Sequence, residues 1–183
     1  ITAPNAFTQA AWFKTSSLRG GVIMAQSDTP TGNGTNTDRL LAMDNNGNIV
    51  FGVKSGPGGI FGVGSIHVRN QGVAWNDGKW HLVVGTYDGA GTAALYVDGW
   101  LQDSSTGTPF NATALANGMP TSYVRAGWAD TRGLPITFGI NFYGNHWPDN
   151  SYFDGSIDEV SVFDRALTAQ EVARMFATGI GSS

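Results

Sequence analysis

The chain has 183 residues, no cysteine, a formal net charge of −4 and only 13% charged residues. That length suits one β-domain with a sizeable core. The missing cysteine excludes disulfides, thiolate metal sites and cysteine nucleophiles, and with no basic stripe to meet phosphates a nucleic-acid partner is not expected. Glycine, at 26 residues and without a collagen-like period, points to many short strands joined by glycine turns. No stretch reads as a signal peptide or a membrane span, so no membrane insertion is expected.

In chain order, Phe7 to Lys14 reads as a first strand and Gly21 to Gln26 as a second. A polar loop from Ser27 to Thr37 follows. Leu40 to Asp44 and Ile49 to Lys54 flank Asn45-Asn46-Gly47-Asn48, a strong hairpin turn. Ile60 to Val68 reads as another strand. Trp80 to Asp88 and Ala93 to Asp98 alternate apolar and polar residues on either side of Asp88-Gly89-Ala90-Gly91, which predicts a hairpin with one buried face. Gln102 to Thr121 reads as a long loop, Tyr123 to Trp128 as a strand, Ala129 to Tyr152 as a second long loop, and Ile157 to Phe163 as the last strand. Long loops without structure of their own are commonly functional. Thr168-Ala169-Gln170-Glu171 has the spacing of a capping box, and Val172, Met175 and Phe176 follow on one helical stripe with Gly179 as a stop signal. Strands at this spacing predict an all-β, two-sheet antiparallel sandwich with one short C-terminal helix, residues 1–183 forming a single domain.

The run Asn76-Asp77-Gly78-Lys79-Trp80-His81, Gly85-Thr86-Tyr87-Asp88-Gly89 and Leu95-Tyr96-Val97-Asp98-Gly99 resembles the signature of the laminin-G-like, concanavalin-A-like jelly-roll family. Phe153-Asp154-Gly155-Ser156-Ile157-Asp158-Glu159-Val160, leading into Arg165-Ala166-Leu167-Thr168, resembles the closing strand and helix of the same family. The two motifs stand in the family's order and cover most of the chain from Phe7 to Phe176. The resemblance implies a jelly roll that binds ligands, often sugars, rather than transforming them. Family members usually carry one more strand before Ile1, which implies a module of a larger, processed polypeptide.

The chain also resembles pentraxins distantly, and this brings in calcium. A hard cation takes six to eight oxygens from carboxylates, amides and backbone. The resemblance places Asp38 and Asp130 as candidate calcium ligands, with Asp149 as a third. Arg39 stands where that family has Asn, and the loop after Trp128 lacks its acidic run, so one calcium or none is expected. Hydrogen bonds within turns are the competing role for these aspartates.

Catalysis has little to work with. Glycoside hydrolysis needs two carboxyl groups about 5–5.5 Å apart for retention, and related glycanases carry a Glu-x-Asp-x-x-Glu cluster. The chain has two glutamates, Glu159 and Glu171, the second assigned to the helix cap. Asp158 should face away from Glu159, and both are expected to pair with Arg165. His81 is expected to be packed and hydrogen-bonded, and His67 to face solvent. No G-x-S-x-G elbow occurs. Gly56-Pro57-Gly58-Gly59 precedes a strand, which does not suit a phosphate cradle.

The aromatic residues offer more. Trp12, Trp80 and Tyr96 lie in apolar strands and are expected in the core, whereas Trp100 follows the Asp98-Gly99 turn and should be exposed. Trp128, Arg132, Tyr143, His146 and Trp147 combine ring faces with polar edges, the pairing that a pyranose requires. The expected function is a non-catalytic, lectin-like carbohydrate-binding module of an extracellular or surface-exposed multidomain protein. Its partners would be a glycan or polysaccharide and the other domains of the same polypeptide. The alternatives are a structural or adhesion module of a cell surface or virus particle and, more remotely, a glycoside hydrolase.

Overall fold

A computed structural model describes residues 4–31, 37–53, 66–70, 72–107, 109, 123–128 and 152–179, with the backbone alone at 37 and 38. Among the described residues, ten strands form two five-stranded antiparallel sheets. They are β1 (Phe7–Lys14), β2 (Gly21–Ser27), β3 (Thr37–Met43), β4 (Ile49–Val53), β5 (Ile66–Arg69), β6 (Trp80–Tyr87), β7 (Thr92–Val97), β8 (Trp100–Thr106), β9 (Tyr123–Ala126) and β10 (Ser156–Phe163). One sheet runs β10-β1-β6-β7-β8 and the other β5-β4-β3-β2-β9. One helix, α1 (Ala169–Gly179), follows β10. The expected jelly-roll sandwich is the fold, and residues 60–65 of the expected fifth strand lie outside the described residues.

Alternation along the strands builds three apolar layers. Phe7, Ala11 and Phe13 of β1, Ile23 of β2, Leu41 of β3, Phe51 of β4, Val83 of β6 and Leu95 of β7 meet between the sheets. Gly85 of β6 lies opposite Phe51, whose ring stands 2.3 Å from where a Cβ would sit, so glycine is required there by space. Ala10, Trp12, Leu82, Val84, Ala94 and Tyr96 point to the other face of the first sheet, where Leu167 and Val172 cover them. Val22, Ala25, Leu40, Ala42 and Val50 form a third buried layer on the far face of the second sheet.

The turns follow their residues. Asp44 Oδ1 accepts from the amides of Asn46 and Asn48 at 2.8 and 2.9 Å, closing the β3–β4 hairpin. Asp98 and Gly99 both have positive φ, 51° and 81°, the type I′ geometry that a two-residue hairpin favours. The capping box forms as expected: Thr168 Oγ1 accepts from the Glu171 amide at 3.3 Å and Glu171 Oε2 from the Thr168 amide at 2.8 Å.

Four expectations are corrected. Trp100–Thr106, assigned in part to the Gln102–Thr121 loop, is strand β8. From Gln102 onward its side chains are polar, as suits the edge of a sheet, so no alternation marks it. A register shift between Leu95 and Tyr96 breaks its pairing with β7, and Asp103 turns to accept the Arg69 amide of β5 at 2.9 Å. Trp80 is 42% exposed rather than core, because it begins β6 opposite Lys14, the last residue of β1. Arg165 pairs with Glu171, at 2.6 Å, and not with Asp158 or Glu159. Glu159 sits at a bulge in β10 with φ 49°, and the capping position brings Glu171 to Arg165 instead. His67 is half-buried, and that burial, partly opposed by Asp103, holds its pKa below the ordinary imidazole value.

Candidate binding groove at the beta9 edge

Strand β9 is the outer strand of its sheet and pairs only with β2 among the described residues, Arg125 opposite Ala25 and Tyr123 opposite Ser27. Ala25 belongs to the far-face layer, so Arg125 and Tyr123, two apart, share that side. Gly127 then takes φ 76° and turns the chain out of the sheet. Its amide still donates to Ile23 O at 2.9 Å, and its carbonyl accepts from the Phe153 amide at 2.9 Å. These two bonds fix Trp128 and Tyr152 beside one another.

The rings of Trp128 and Tyr152 lie 5.7 Å apart at 35°. The Arg125 guanidinium stands 4.1 Å from the Trp128 ring centre, a cation–π contact. Arg125 is buried, Trp128 half-buried, and Tyr152 65% exposed. Phe153 anchors the segment by meeting the core ring of Phe13 edge-on at 6.1 Å and 90°. Gly21 lets it approach, since a Cβ there would stand 2.4 Å from Tyr152 O. With Pro30, Thr31, Val124 and Ala126 these residues line an open groove of about 500 Å³, within the range of small-ligand sites.

Trp128, a candidate ligand residue in the sequence, lines this groove. Its neighbours Arg125, Val124 and Tyr152 were not expected there. Tyr152 closes the 129–152 loop in sequence, and its place directly before the Phe153-Asp154-Gly155 motif was the signal available. Arg132, Tyr143, His146, Trp147, Asp130 and Asp149 lie outside the described residues. Asp38 is in β3, its side chain likewise outside them. Next to it, Arg39 is wholly buried, donates to Gln26 Oε1 at 3.2 Å and stacks 4.1 Å from the Phe7 ring centre, so it faces the core. Among the described residues, no three His, Asp or Glu gather as a metal site.

A cluster of charged groups surrounds His81. His81 is buried, with Nδ1 2.8 Å from Asp98 Oδ2 and Nε2 3.0 Å from Asp77 Oδ1. Burial pulls its pKa down, but the hydrogen bonds to Asp98 and Asp77 outweigh this and leave it raised. The His81 and Lys79 bonds hold Asp77 well below the usual carboxylate range. Trp75 meets the His81 ring edge-on at 4.9 Å. Glu171 is held at about 2 by Arg165 and the Thr168 amide.

A family model described as the concanavalin A-like lectin/glucanases superfamily matches residues 1–133 and 119–173. Among solved structures, the CBM40 of a Ruminococcus gnavus IT-sialidase, bound to alpha2,3 sialyllactose, is 16% identical with a TM-score of 0.66; the match covers 96% of this chain and 84% of that one. The SAP-like pentraxin of Limulus polyphemus is 17% identical, TM-score 0.57, over 93% of this chain and 69% of that one. A structure of botulinum neurotoxin type C, whose cell entry depends on two ganglioside molecules, is 17% identical, TM-score 0.56, over 94% of this chain and 35% of that one. This chain thus spans about a third of the toxin chain it matches. At these identities the likeness is one of fold. No curated protein matches.

Proposed function

We propose that this chain, which belongs to the concanavalin A-like lectin/glucanases superfamily, is a non-catalytic glycan-binding module of a larger extracellular protein. The observation that carries the reading is the Arg125–Trp128–Tyr152 stack, opening on a groove of about 500 Å³ at the β9 edge. Aromatic faces with polar edges suit a sugar's C–H face and hydroxyls. The sugar-binding descriptions of the CBM40 and the toxin are consistent with it. Arg132, Tyr143, His146 and Trp147 would complete the site from the 129–152 loop.

The two glutamates support the non-catalytic part. Glu171 is held by Arg165 and Thr168, and Glu159 is exposed on a bulge beside Asp158, whose Oδ1 accepts its amide at 2.8 Å. Neither forms a carboxyl pair across a cleft among the described residues. A glycan-array screen of the isolated chain, with and without chelator, tests the reading: specific binding to at least one glycan is expected, and none would overturn it. Calcium held by Asp38, Asp130 and Asp149 is a separate proposal. A ligand that binds the native state raises the melting temperature with its concentration, so equal melting in calcium and in chelator would overturn that site.

One observation favours the adhesion reading instead. Trp100 is 76% exposed and Leu101 55%, on opposite faces of β8 at the other edge of the sandwich. Protein binding that is lost in Trp100→Ser with glycan binding absent would establish that alternative.

A further inference from the structure

Trp128 and Tyr152 are not equivalent within the groove. Arg125 stands over the Trp128 ring at 4.1 Å, and the Tyr152 ring lies 5.7 Å from it at 35°. Trp128 is half-buried between these neighbours. Tyr152 is 65% exposed, while its backbone is fixed by the Phe153 amide on Gly127 O and by the close approach to Gly21. An exposed ring on a fixed backbone is pre-organised, so a ligand that stacks on it meets little ordering cost.

We propose that Tyr152, which the sequence did not single out, is the ring on which the sugar stacks, that Trp128 is a positioning residue behind it, and that the ligand is a neutral pyranose. This rests on the glycan-binding reading above and specifies its site. The choice of a neutral sugar follows from the described lining alone, Arg132 and His146 lying outside it. Val124, Ala126 and Pro30 are apolar, and Thr31 supplies a hydroxyl beside them. The one cationic side chain among the described lining, Arg125, is 9% exposed and engaged with the Trp128 ring. At 9% exposure the guanidinium presents almost none of its N–H edge to the groove, so a carboxylate sugar would gain no charge partner among the described lining. A neutral pyranose needs only its C–H face against Tyr152 and a hydroxyl toward Thr31.

The test is calorimetric titration of the intact chain with cellohexaose, laminarihexaose, mannohexaose and galactotetraose as neutral probes, and sialyllactose as the anionic one. Binding of a neutral probe is expected. Tyr152→Ala should weaken it about tenfold or more with the melting temperature within about 2 °C, because the ring is mostly exposed. Tyr152→Phe, which keeps the ring, should bind within about threefold of the parent. Trp128→Ala should weaken binding and lower the melting temperature together. Trp128→Phe, which restores a flat ring behind Tyr152, should recover most of the binding, a rescue that simple loss of fold would not produce. A neutral probe bound equally by the parent and Tyr152→Ala overturns the platform and leaves the module's glycan-binding reading intact. Sialyllactose bound in preference to every neutral probe overturns the ligand class. If the parent binds no probe here and no glycan on the array, both readings fall.

Discussion

Two tryptophans in this molecule stack on a second ring at nearly the same distance, and they do different work. Trp12 lies 5.8 Å from Phe176 at 23°, and Trp128 lies 5.7 Å from Tyr152 at 35°. The first pair is closed in by Leu82, Val84, Tyr96, Leu167 and Val172 beneath α1. The second opens on the groove beside β9. Ring geometry alone therefore does not tell a core contact from a recognition surface; what covers the outer ring does. One pair is closed in under α1, and the other leaves Tyr152 65% exposed at the groove.

The largest effect that should separate them is Trp12→Ala, which is expected to cost about 3–5 kcal/mol in denaturant unfolding with glycan affinity unchanged. Loss of affinity in a folded Trp12 variant would break the comparison. Gly179→Ala sharpens it: a Cβ there would stand 2.5 Å from Trp12 Cζ2, so the end of α1 must shift, and about 1–2 kcal/mol should be lost.

Acidity separates the regions next. His81 has a raised folded pKa, so its contribution is fully present below the unfolded value of about 6.5 and lost as pH rises through the folded value. Asp77 works oppositely: its depressed pKa contributes stability above the unfolded carboxylate value that is lost as pH falls. Urea unfolding should thus show stability falling as pH rises above about 6.5, and His81→Gln should flatten that slope. Neutral-sugar binding measured across the same pH range should stay level, and binding that follows the His81 titration would join what the comparison separates. The smallest effect is expected at Trp80, 42% exposed, where Ala should cost about 1 kcal/mol or less. A loss as large as that of Trp12→Ala would show that its burial has been underrated.

The fold was largely readable because its signals are local. Phe7–Lys14 was found with its bounds, and the Asn45–Asn48 turn, the Asp98-Gly99 turn and the Thr168–Glu171 cap all form. Strand β8 was missed because an edge strand whose polar side chains mostly face water shows no alternation. Trp80 was misjudged because alternation reports which face a residue takes, not how far along the strand the cover reaches. Of the groove lining, the sequence singled out only Trp128. Arg125 looked like any strand cation, and Tyr152 meets Trp128 only because the end of β9 is pinned by Gly127 to a segment 26 residues further on. Such a meeting of distant residues leaves no periodic trace.

Asp103 is a charged side chain near the middle of an edge strand, where a long flat margin would otherwise invite another chain to add itself. It faces β5, the margin of the opposite sheet, and occupies the Arg69 amide that β4 does not use. One carboxylate thus blunts two margins, and the shifted register beside it bends β8 away from a straight template. A surface with few charges gives little electrostatic protection against self-association. At the β8–β5 margin, among the described residues, that protection comes from Asp103, and its loss would leave two strand edges open to another chain.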